Sequence, residues 1–232
     1  MSSVDREPLP LPSPPPFEAP ASFVPALAAL GVTLDEARIA KLGDYLARLV
    51  AMNEHVNLTA VTDPVEVWTR HALDALSLVP HLAHLPAGAL VLDVGSGGGV
   101  PGIPLAIARP DLEIMMVEAT QKKATWLEMV SEALGLDNVT VAPERAEELA
   151  ETDLAGTFDA VTARAVAKIS QLVPWTAPFA RPGGHLLFIK GQKAPDELRE
   201  AKRVLSRYKL RHTKTELTTT GRVVVIEVLG ER

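Results

Sequence analysis

The chain has 232 residues, of which 47% are hydrophobic, and its formal net charge is −6. This length accommodates one α/β domain with a modest extension and a sizeable core. The absence of cysteine excludes disulfides, cysteine–zinc sites and thiolate nucleophiles, including those of methyltransferases that attack C6 of a pyrimidine. The sequence contains no apolar run of transmembrane length and no secretory signal, so we expect a cytoplasmic protein without membrane contact.

The N-terminal 22 residues are rich in proline, with seven prolines between Pro8 and Pro20. Proline removes a backbone donor and fixes φ, which excludes helix interiors and central strands. We therefore expect residues 1–22 to form a disordered tail, with a proline-rich docking ligand as the alternative.

Residues 23–88 have the periodicity of a helical extension. Thr33 and Glu36 have the spacing of a capping box, which predicts a helix capped by Thr33. Apolar residues then recur at helical spacing at Leu42, Tyr45, Leu46, Leu49 and Val50. Further along, Thr62, Asp63 and Pro64 indicate the start of a second helix.

From residue 89 onward, short apolar segments alternate with helical ones. Seven strands are predicted at 90–94, 113–118, 139–142, 160–163, 185–190, 210–216 and 223–228. Helices are predicted near 102–109, 122–135, 144–150, 168–179 and 195–205. This alternation indicates a mostly parallel sheet with helices on both faces. The last two strands have only a short link, which predicts a hairpin that makes one strand antiparallel.

A glycine-rich loop follows the first of these strands, in the segment VLDVGSGGGVPGIP at 91–104. Glycines allow a tight turn and a close approach of the backbone to a ligand, and the following helix offers unpaired N–H groups. Asp93 places a carboxylate where a pyrophosphate would lie, so it favours a cationic ligand such as S-adenosylmethionine. Gly97, Gly99 and Gly102 also satisfy the dinucleotide pattern, so NAD stays an alternative, as does a turn without a ligand.

Ends of later strands supply further candidates for the ligand site. Glu118 ends the second predicted strand, where a carboxylate can accept both ribose hydroxyls; a surface acid is the alternative. Ala146 and Glu147 follow the third strand, beside the expected adenine. Arg164 ends the fourth strand and can bind a carboxylate or phosphate, stack on a base, or form a surface ion pair.

The charge of the chain is unevenly distributed. Residues 190–214 contain nine Lys or Arg and three acids, a net charge of +6, which leaves −12 for the remainder. A basic segment on an acidic body can bind phosphates locally, although such a run is also typical of a solvated helix face.

The set of motifs resembles a known family. The motifs are Asn57-Leu58-Thr59, Arg70-His71, the block 92–104, Lys122-Lys123, Arg145-Ala146-Glu147, Arg164-Ala165 and Ile189-Lys190-Gly191. In this order they are similar to the bacterial small-subunit ribosomal RNA guanine-N7 methyltransferases, also called glucose-inhibited division protein B. The resemblance covers roughly residues 40–230. It implies an α/β Rossmann-like class I methyltransferase fold with an N-terminal helical extension at 23–88 and a methyltransferase domain at 89–232.

The resemblance also implies the ligands and the residues that bind them. The cofactor is S-adenosylmethionine and the partner is 16S rRNA or the small ribosomal subunit, with the protein expected as a monomer without a metal. The donor-binding candidates are Asp93, Gly95, Gly97, Gly99, Val100, Glu118, Ala119, Thr120, Ala146, Glu147 and Arg164. The RNA-binding candidates are Arg70, His71, Lys122, Lys123, Arg164, Lys168 and Lys190.

The expected reaction needs no catalytic side chain. Guanine N7 carries a lone pair and no proton, so its attack on a sulfonium methyl requires alignment rather than a general base. Two other functions stay open at this point. One is an NAD-linked oxidoreductase, and the other is a non-catalytic protein that binds an adenosyl ligand.

Overall fold

The fold is built on one seven-stranded sheet, seen in a computed structural model that describes residues 10–164 and 167–230. The strands are β1 (Leu90–Val94), β2 (Glu113–Val117), β3 (Val139–Ala142), β4 (Phe158–Arg164), β5 (Ala180–Lys190), β6 (Leu210–Leu217) and β7 (Arg222–Val228). Their order is β3-β2-β1-β4-β5-β7-β6, and β7 runs antiparallel to both of its neighbours. The predicted Rossmann-like α/β fold and the final hairpin are confirmed.

Helices cover both faces of this sheet. They are α1 (Phe23–Ala29), α2 (Glu36–Met52), a π-helical turn (Trp68–Leu73) that continues into α3 (Asp74–Leu76), α4 (Gly102–Ala108), α5 (Gln121–Ala133), α6 (Ala146–Leu149), α7 (Ile169–Thr176) and α8 (Ala194–Arg207). Short 3-10 turns occur at Val79–Leu82 and Ala177–Phe179. Helices α1 to α5, together with the π-helical turn, share a core with one face of the sheet. Helices α6, α7 and α8 cover the other face. Among the described residues, no helix is long and apolar enough to cross a membrane.

The extension before β1 packs directly on the sheet's own core. Leu42, Leu46 and Leu49 of α2 are at most 1% exposed and belong to the same apolar cluster as Ile103 and Leu127. Burying a leucine side chain contributes about 1.5–3 kcal/mol, so α2 stabilises the sheet as well as itself. Because both parts share one core, the division of the chain near residue 89 stays a prediction.

The helix starts in the extension depend on aspartates. Asp35, rather than the predicted Thr33, caps α2, and its Oδ1 accepts the N–H of Arg38 at 2.8 Å. The Thr33 cap is therefore wrong: α2 begins at Glu36, which places Asp35 at the position that reaches the third helical N–H. Asp63 accepts the N–H groups of Val65 and Glu66 at 2.9 and 2.8 Å, in agreement with the predicted second start.

The proline-rich segment lies on α2. The N–H of Phe17 donates to the carbonyl of Gly43 at 3.1 Å, and Arg48 Nη1 donates to the carbonyl of Pro12 at 2.9 Å. A Cβ on Gly43 would come within 2.2 Å of the Phe17 oxygen, so glycine permits this approach. The predicted disorder is wrong for residues 10–22, because an extended proline-rich chain can still pack a half-buried phenylalanine on the core and form hydrogen bonds with a helix. Residues 1–9 lie outside the described part.

Most predicted strand ends are within two residues of the observed ones, and β5 is the exception. It begins at Ala180 instead of residue 185, because residues 181–184 form an irregularity opposite β4 between Phe158 and Ala160. Pro182, Gly183 and Gly184 indicate a turn by composition, but here they bulge within a continuing strand.

Candidate functional site

The glycine loop joins the end of β1 to the start of α4 at the carboxyl edge of the sheet. Gly95, Gly97 and Gly99 have φ values of 71°, 55° and 101°, in the left-handed region that favours glycine. A Cβ on Gly97 would meet no atom closer than 3.9 Å, so the outer side of the loop is open to a ligand. The inner side is fixed, because Tyr45 Oη and Trp126 Nε1 both donate to the carbonyl of Gly98, at 2.9 and 3.0 Å.

Asp93 lies beneath this loop and is 1% exposed. Its Oδ2 accepts the N–H of Gly102 at 3.2 Å, and its Oδ1 accepts the hydroxyl of Thr162 at 3.1 Å. Burial raises the pKa of Asp93 to about 6, against the lowering effect of hydrogen bonds from Ser96, Thr162 and Gly102. The carboxylate thus joins the loop to β4, and its predicted contact with a cationic ligand stays a prediction.

Glu118 follows β2 and braces the loop from the other side. Its Oε2 accepts the N–H of Gly97 at 3.0 Å, and its Oε1 accepts the N–H of Thr120 at 2.8 Å. The side chain is buried, yet each carboxylate oxygen keeps a second lone pair. This arrangement leaves acceptors for the predicted ribose hydroxyls while it holds Gly97 in place.

A cavity of about 150 Å³ lies beside the loop. Its walls are Val94, Gly95, Val117, Ala119, Glu144, Arg145, Ala146, Glu147 and Trp175. Four donor-site candidates from the sequence, Gly95, Ala119, Ala146 and Glu147, therefore meet at one place. Trp126 and Trp175 both lie on helices, but only Trp175 belongs to this site. Trp126 is 1% exposed in the core, whereas Trp175 is half-buried and lines the cavity. Helical spacing alone could not separate the two tryptophans.

Arg164, the last residue of β4, is turned toward the extension and does not line this cavity. Its Nη2 donates to Nδ1 of His71 at 3.0 Å. Because a guanidinium only donates, Nδ1 must accept, so His71 carries its hydrogen on Nε2, which lies 2.7 Å from the Thr59 hydroxyl. Burial and then the charge of Arg164 lower the pKa of His71 to about 4, so the ring is neutral.

Asp74 completes the surroundings of Arg164. Its Oδ2 lies 4.0 Å from Arg164 Nε, and its Oδ1 accepts the hydroxyl of Thr220 in the β6–β7 link. Burial raises the pKa of Asp74, against the lowering effects of Thr220 and Arg164. Arg164 Nη1 is buried and has no hydrogen-bond partner among the described residues. The guanidinium is thus fixed from two sides while one donor group is left for another acceptor.

The other predicted RNA-binding residues have different environments. Arg70 and Lys122 are exposed, Lys123 is half-buried, and Lys168 is 61% exposed with an ion pair to Glu200 at 3.1 Å. Lys190 is only 7% exposed, and its Nζ donates to Glu197 at 2.9 Å and to the carbonyl of Ala167 at 2.5 Å. Glu197 also accepts the N–H of Ile169 at 3.0 Å. Lys190 therefore holds the chain before α7 in place, a role that the sequence did not indicate.

Comparisons with known proteins agree with this geometry. A family profile described as GidB, rRNA small subunit methyltransferase G, matches residues 38–225. A ribosomal RNA small subunit methyltransferase G from Sorangium cellulosum is 59% identical over 227 residues, which is 98% of this chain and 95% of the relative. The protein of the same name from Leuconostoc mesenteroides is 38% identical over 186 residues, covering 79% of this chain and 78% of the relative.

Solved structures show the same fold at low identity. The O-methyltransferase TomG from Streptomyces achromogenes, in complex with SAM, has a TM-score of 0.57 and 19% identity, covering 90% of this chain and 96% of that one. A SAM-dependent methyltransferase from Aquifex aeolicus has a TM-score of 0.53 and 18% identity, covering 67% and 90%. The profile match over residues 38–225 and the 59% identity to the Sorangium cellulosum protein show that the chain belongs to the rRNA small subunit methyltransferase G (GidB) family.

Proposed function

We propose that the protein transfers the methyl group of S-adenosylmethionine to N7 of a guanine in 16S rRNA. It acts in the cytoplasm, as a monomer, on the RNA or on the small ribosomal subunit. The observation that carries this proposal is the glycine loop. Glu118 and Asp93 hold the loop through hydrogen bonds to the N–H groups of Gly97 and Gly102. The loop opens onto a cavity, and the chain belongs to this family.

The donor site fits S-adenosylmethionine better than NAD. The adenosine end of the cofactor would occupy the cavity that Ala119, Ala146 and Glu147 line. Glu118 offers acceptor oxygens for the ribose hydroxyls. Val100, Thr120 and the loop glycines Gly95, Gly97 and Gly99 complete the proposed donor-binding set. The two buried carboxylates beside the loop disfavour a pyrophosphate, because they repel its negative charge. When bound, the cofactor supplies a methyl group on a positively charged sulfur.

The chain's own residues contribute alignment and exclusion of water. Guanine N7 presents a lone pair without a proton, so the transfer needs no general base. Holding reactants in register can supply about 7–11 kcal/mol of the barrier reduction. Gly97 lets the backbone approach the donor closely, whereas Gly99 lets the loop pack against Ile103 and Leu127. Tyr45 and Trp126 keep the loop from moving by their hydrogen bonds to Gly98.

Arg164 is proposed to contact the RNA and not the donor. Its free Nη1 suits an acceptor oxygen of the target nucleotide, and His71 and Asp74 hold it in one orientation. His71 is then a positioning residue, because both of its ring nitrogens are engaged within the protein.

Four further cations, three of them exposed and one half-buried, provide the remaining RNA contacts. Arg70, Lys122, Lys123 and Lys168 are proposed to bind phosphates. The ion pair of Lys168 with Glu200 is exposed and therefore weak. Lys190 is proposed to act indirectly, through Ala167 and the start of α7, because its ammonium is already paired with Glu197.

The test is methyl transfer with the purified protein. Small subunits and protein-free 16S rRNA from a strain that lacks the gene are incubated with labelled S-adenosylmethionine, and the RNA is digested to nucleosides. The proposal expects label in 7-methylguanosine from at least one substrate. Label in another nucleoside contradicts the N7 assignment, and absence of label from both substrates contradicts the function. Calorimetry with NAD in parallel tests the oxidoreductase alternative.

A further inference from the structure

A second concave surface lies away from the donor site, between α8 and the strands β6 and β7. It has a volume of about 420 Å³ and is lined by Pro195, Leu198, Arg199, Lys202, Leu205, His212, Thr215 and Arg222. We refer to this surface as the α8–β6 groove. None of its residues lines the cavity beside the glycine loop, so the donor does not account for it.

The charge of the groove distinguishes it from two other large cavities in the described part of the chain. Arg199, Lys202 and Arg222 give it three cations, and no carboxylate lines it. A cavity of about 510 Å³ between α2 and α4 has two cations and three carboxylates: Arg38, Lys41, Asp35, Glu113 and Asp137. Another, of about 420 Å³ beside α1, has Glu216 and no Lys or Arg. Only the α8–β6 groove, among these, has the charge to bind a polyanion.

The cations of the groove are available for a ligand. Arg199 pairs with Asp196, but both side chains are exposed, so water screens the pair. Lys202 is exposed and forms no ion pair with any described residue. Arg222 Nε is buried without a hydrogen-bond partner in the described part of the chain. A buried donor without a partner is unfavourable, and an anionic oxygen in the groove would satisfy it.

The groove begins at the same edge of the sheet as the donor site. Arg222 is the register partner of Lys190, the last residue of β5, and Arg164 at the end of β4 pairs with Ile189. Neighbouring strands lie about 4.8 Å apart, so the backbones of Arg164 and Arg222 are separated by about 10 Å. From Arg222 the lining residues continue along α8 to Leu205, away from that edge.

We propose that the α8–β6 groove binds the phosphodiester backbone of small-subunit RNA beside the target nucleotide. Arg199, Lys202 and Arg222 bind the phosphates, and Leu198 and Leu205 give the sugars an apolar floor. The proposal rests on the proposed function, because that function brings RNA to the Arg164 edge. It also divides the basic segment 190–214: Arg199 and Lys202 line the groove, whereas Arg203 and Arg207 of the same helix do not.

The division provides a matched pair of variants. Arg199→Gln/Lys202→Gln removes two groove cations, and Arg203→Gln/Arg207→Gln removes two exposed cations of α8 outside the groove. Both variants change the net charge equally and keep polar, helix-compatible side chains. Binding of protein-free 16S rRNA and of assembled small subunits is measured at several salt concentrations. Melting temperature and S-adenosylmethionine affinity serve as controls for folding and for the donor site.

The expected difference follows from counterion release. Each phosphate contact on single-stranded RNA contributes about −0.7 to the slope of log affinity against log salt, so the groove variant loses up to about 1.4 of slope. If the variant and the wild type bind the RNA equally at 1 M salt, this slope difference makes the variant bind up to about 25-fold more weakly at 0.1 M salt. The helix control should retain the wild-type slope.

Each outcome is decisive. Equal slopes for the two double variants overturn the groove proposal, as does a loss that appears only with assembled subunits, since that result indicates a ribosomal protein as the occupant. The proposed function is refuted by a different result, namely that the wild-type protein transfers no methyl group to small subunits or to protein-free 16S rRNA. Because the salt slope reports binding alone, a failure of catalysis does not obscure the groove result.

Discussion

Glu118→Gln tests whether the carboxylate beneath the glycine loop determines the donor site. The two oxygens of Glu118 accept the N–H groups of Gly97 and Thr120 at 3.0 and 2.8 Å, and the side chain is 7% exposed. A glutamine has one acceptor oxygen, so one of these N–H groups would face an amide donor. Losing one charge-assisted hydrogen bond costs about 1.5–3 kcal/mol.

This cost predicts a lower melting temperature and weaker donor binding. At about 2–4 °C per kcal/mol for a chain of this size, the variant should melt about 3–12 °C below the wild type. Displacement of Gly97 should also reduce S-adenosylmethionine affinity at least tenfold, since about 1.4 kcal/mol corresponds to a factor of ten. Calorimetry and thermal unfolding measure both. Glu132→Gln, at an exposed position of α5 outside the cavity, controls for the lost charge.

Glu118→Asp separates the charge of the carboxylate from its reach. An aspartate keeps both acceptor oxygens on a shorter stem, so it should retain more stability and more affinity than glutamine does. The reasoning is refuted if Glu118→Gln keeps wild-type stability and donor affinity, because the two hydrogen bonds would then contribute nothing.

Three other perturbations address the rest of the site. Gly97→Val should abolish donor binding while circular dichroism still shows a folded protein, because φ is 55° and a branched side chain would occupy the open face; normal affinity would mean that the loop is not the site. Arg164→Ala should lower RNA methylation more than donor binding, and equal losses would place Arg164 in the donor site instead. His71 has a folded pKa near 4, below its unfolded value near 6.5, so its contribution to stability is complete above pH 6.5 and is lost as pH falls toward 4. The stability difference between wild type and His71→Gln in urea titrations should therefore shrink on acidification, and a constant difference would contradict a neutral buried His71.

The sheet was predictable because buried parallel strands are nearly continuous apolar runs. The start of β5 was not, since Pro182, Gly183 and Gly184 are typical of a turn and only the pairing with β4 shows that they bulge within a strand. The proline-rich segment was misjudged for a similar reason. Its order depends on Gly43 and Arg48, which lie on α2 and are remote in sequence.

The glycine loop and Glu118 were found from local sequence because strand, loop and acid follow one another along the chain. The partners of Arg164 and Lys190 were not, since His71, Asp74 and Glu197 approach them only in the folded chain. A sequence shows that a cation is present, but the packing decides whether it is free for RNA or paired within the protein. The same limit applies to α8, where Lys202 and Arg203 are neighbours in sequence and only one of them lines a groove.

Mass spectrometry of 16S rRNA from a strain that lacks this gene is the decisive test of guanine-N7 methylation. One 7-methylguanosine should disappear from the RNA of the deletion strain. It should return when the wild-type gene is supplied and stay absent with the Gly97→Val variant. A complete set of 7-methylguanosines in the deletion strain would contradict the claim that this chain methylates guanine N7 in small-subunit RNA.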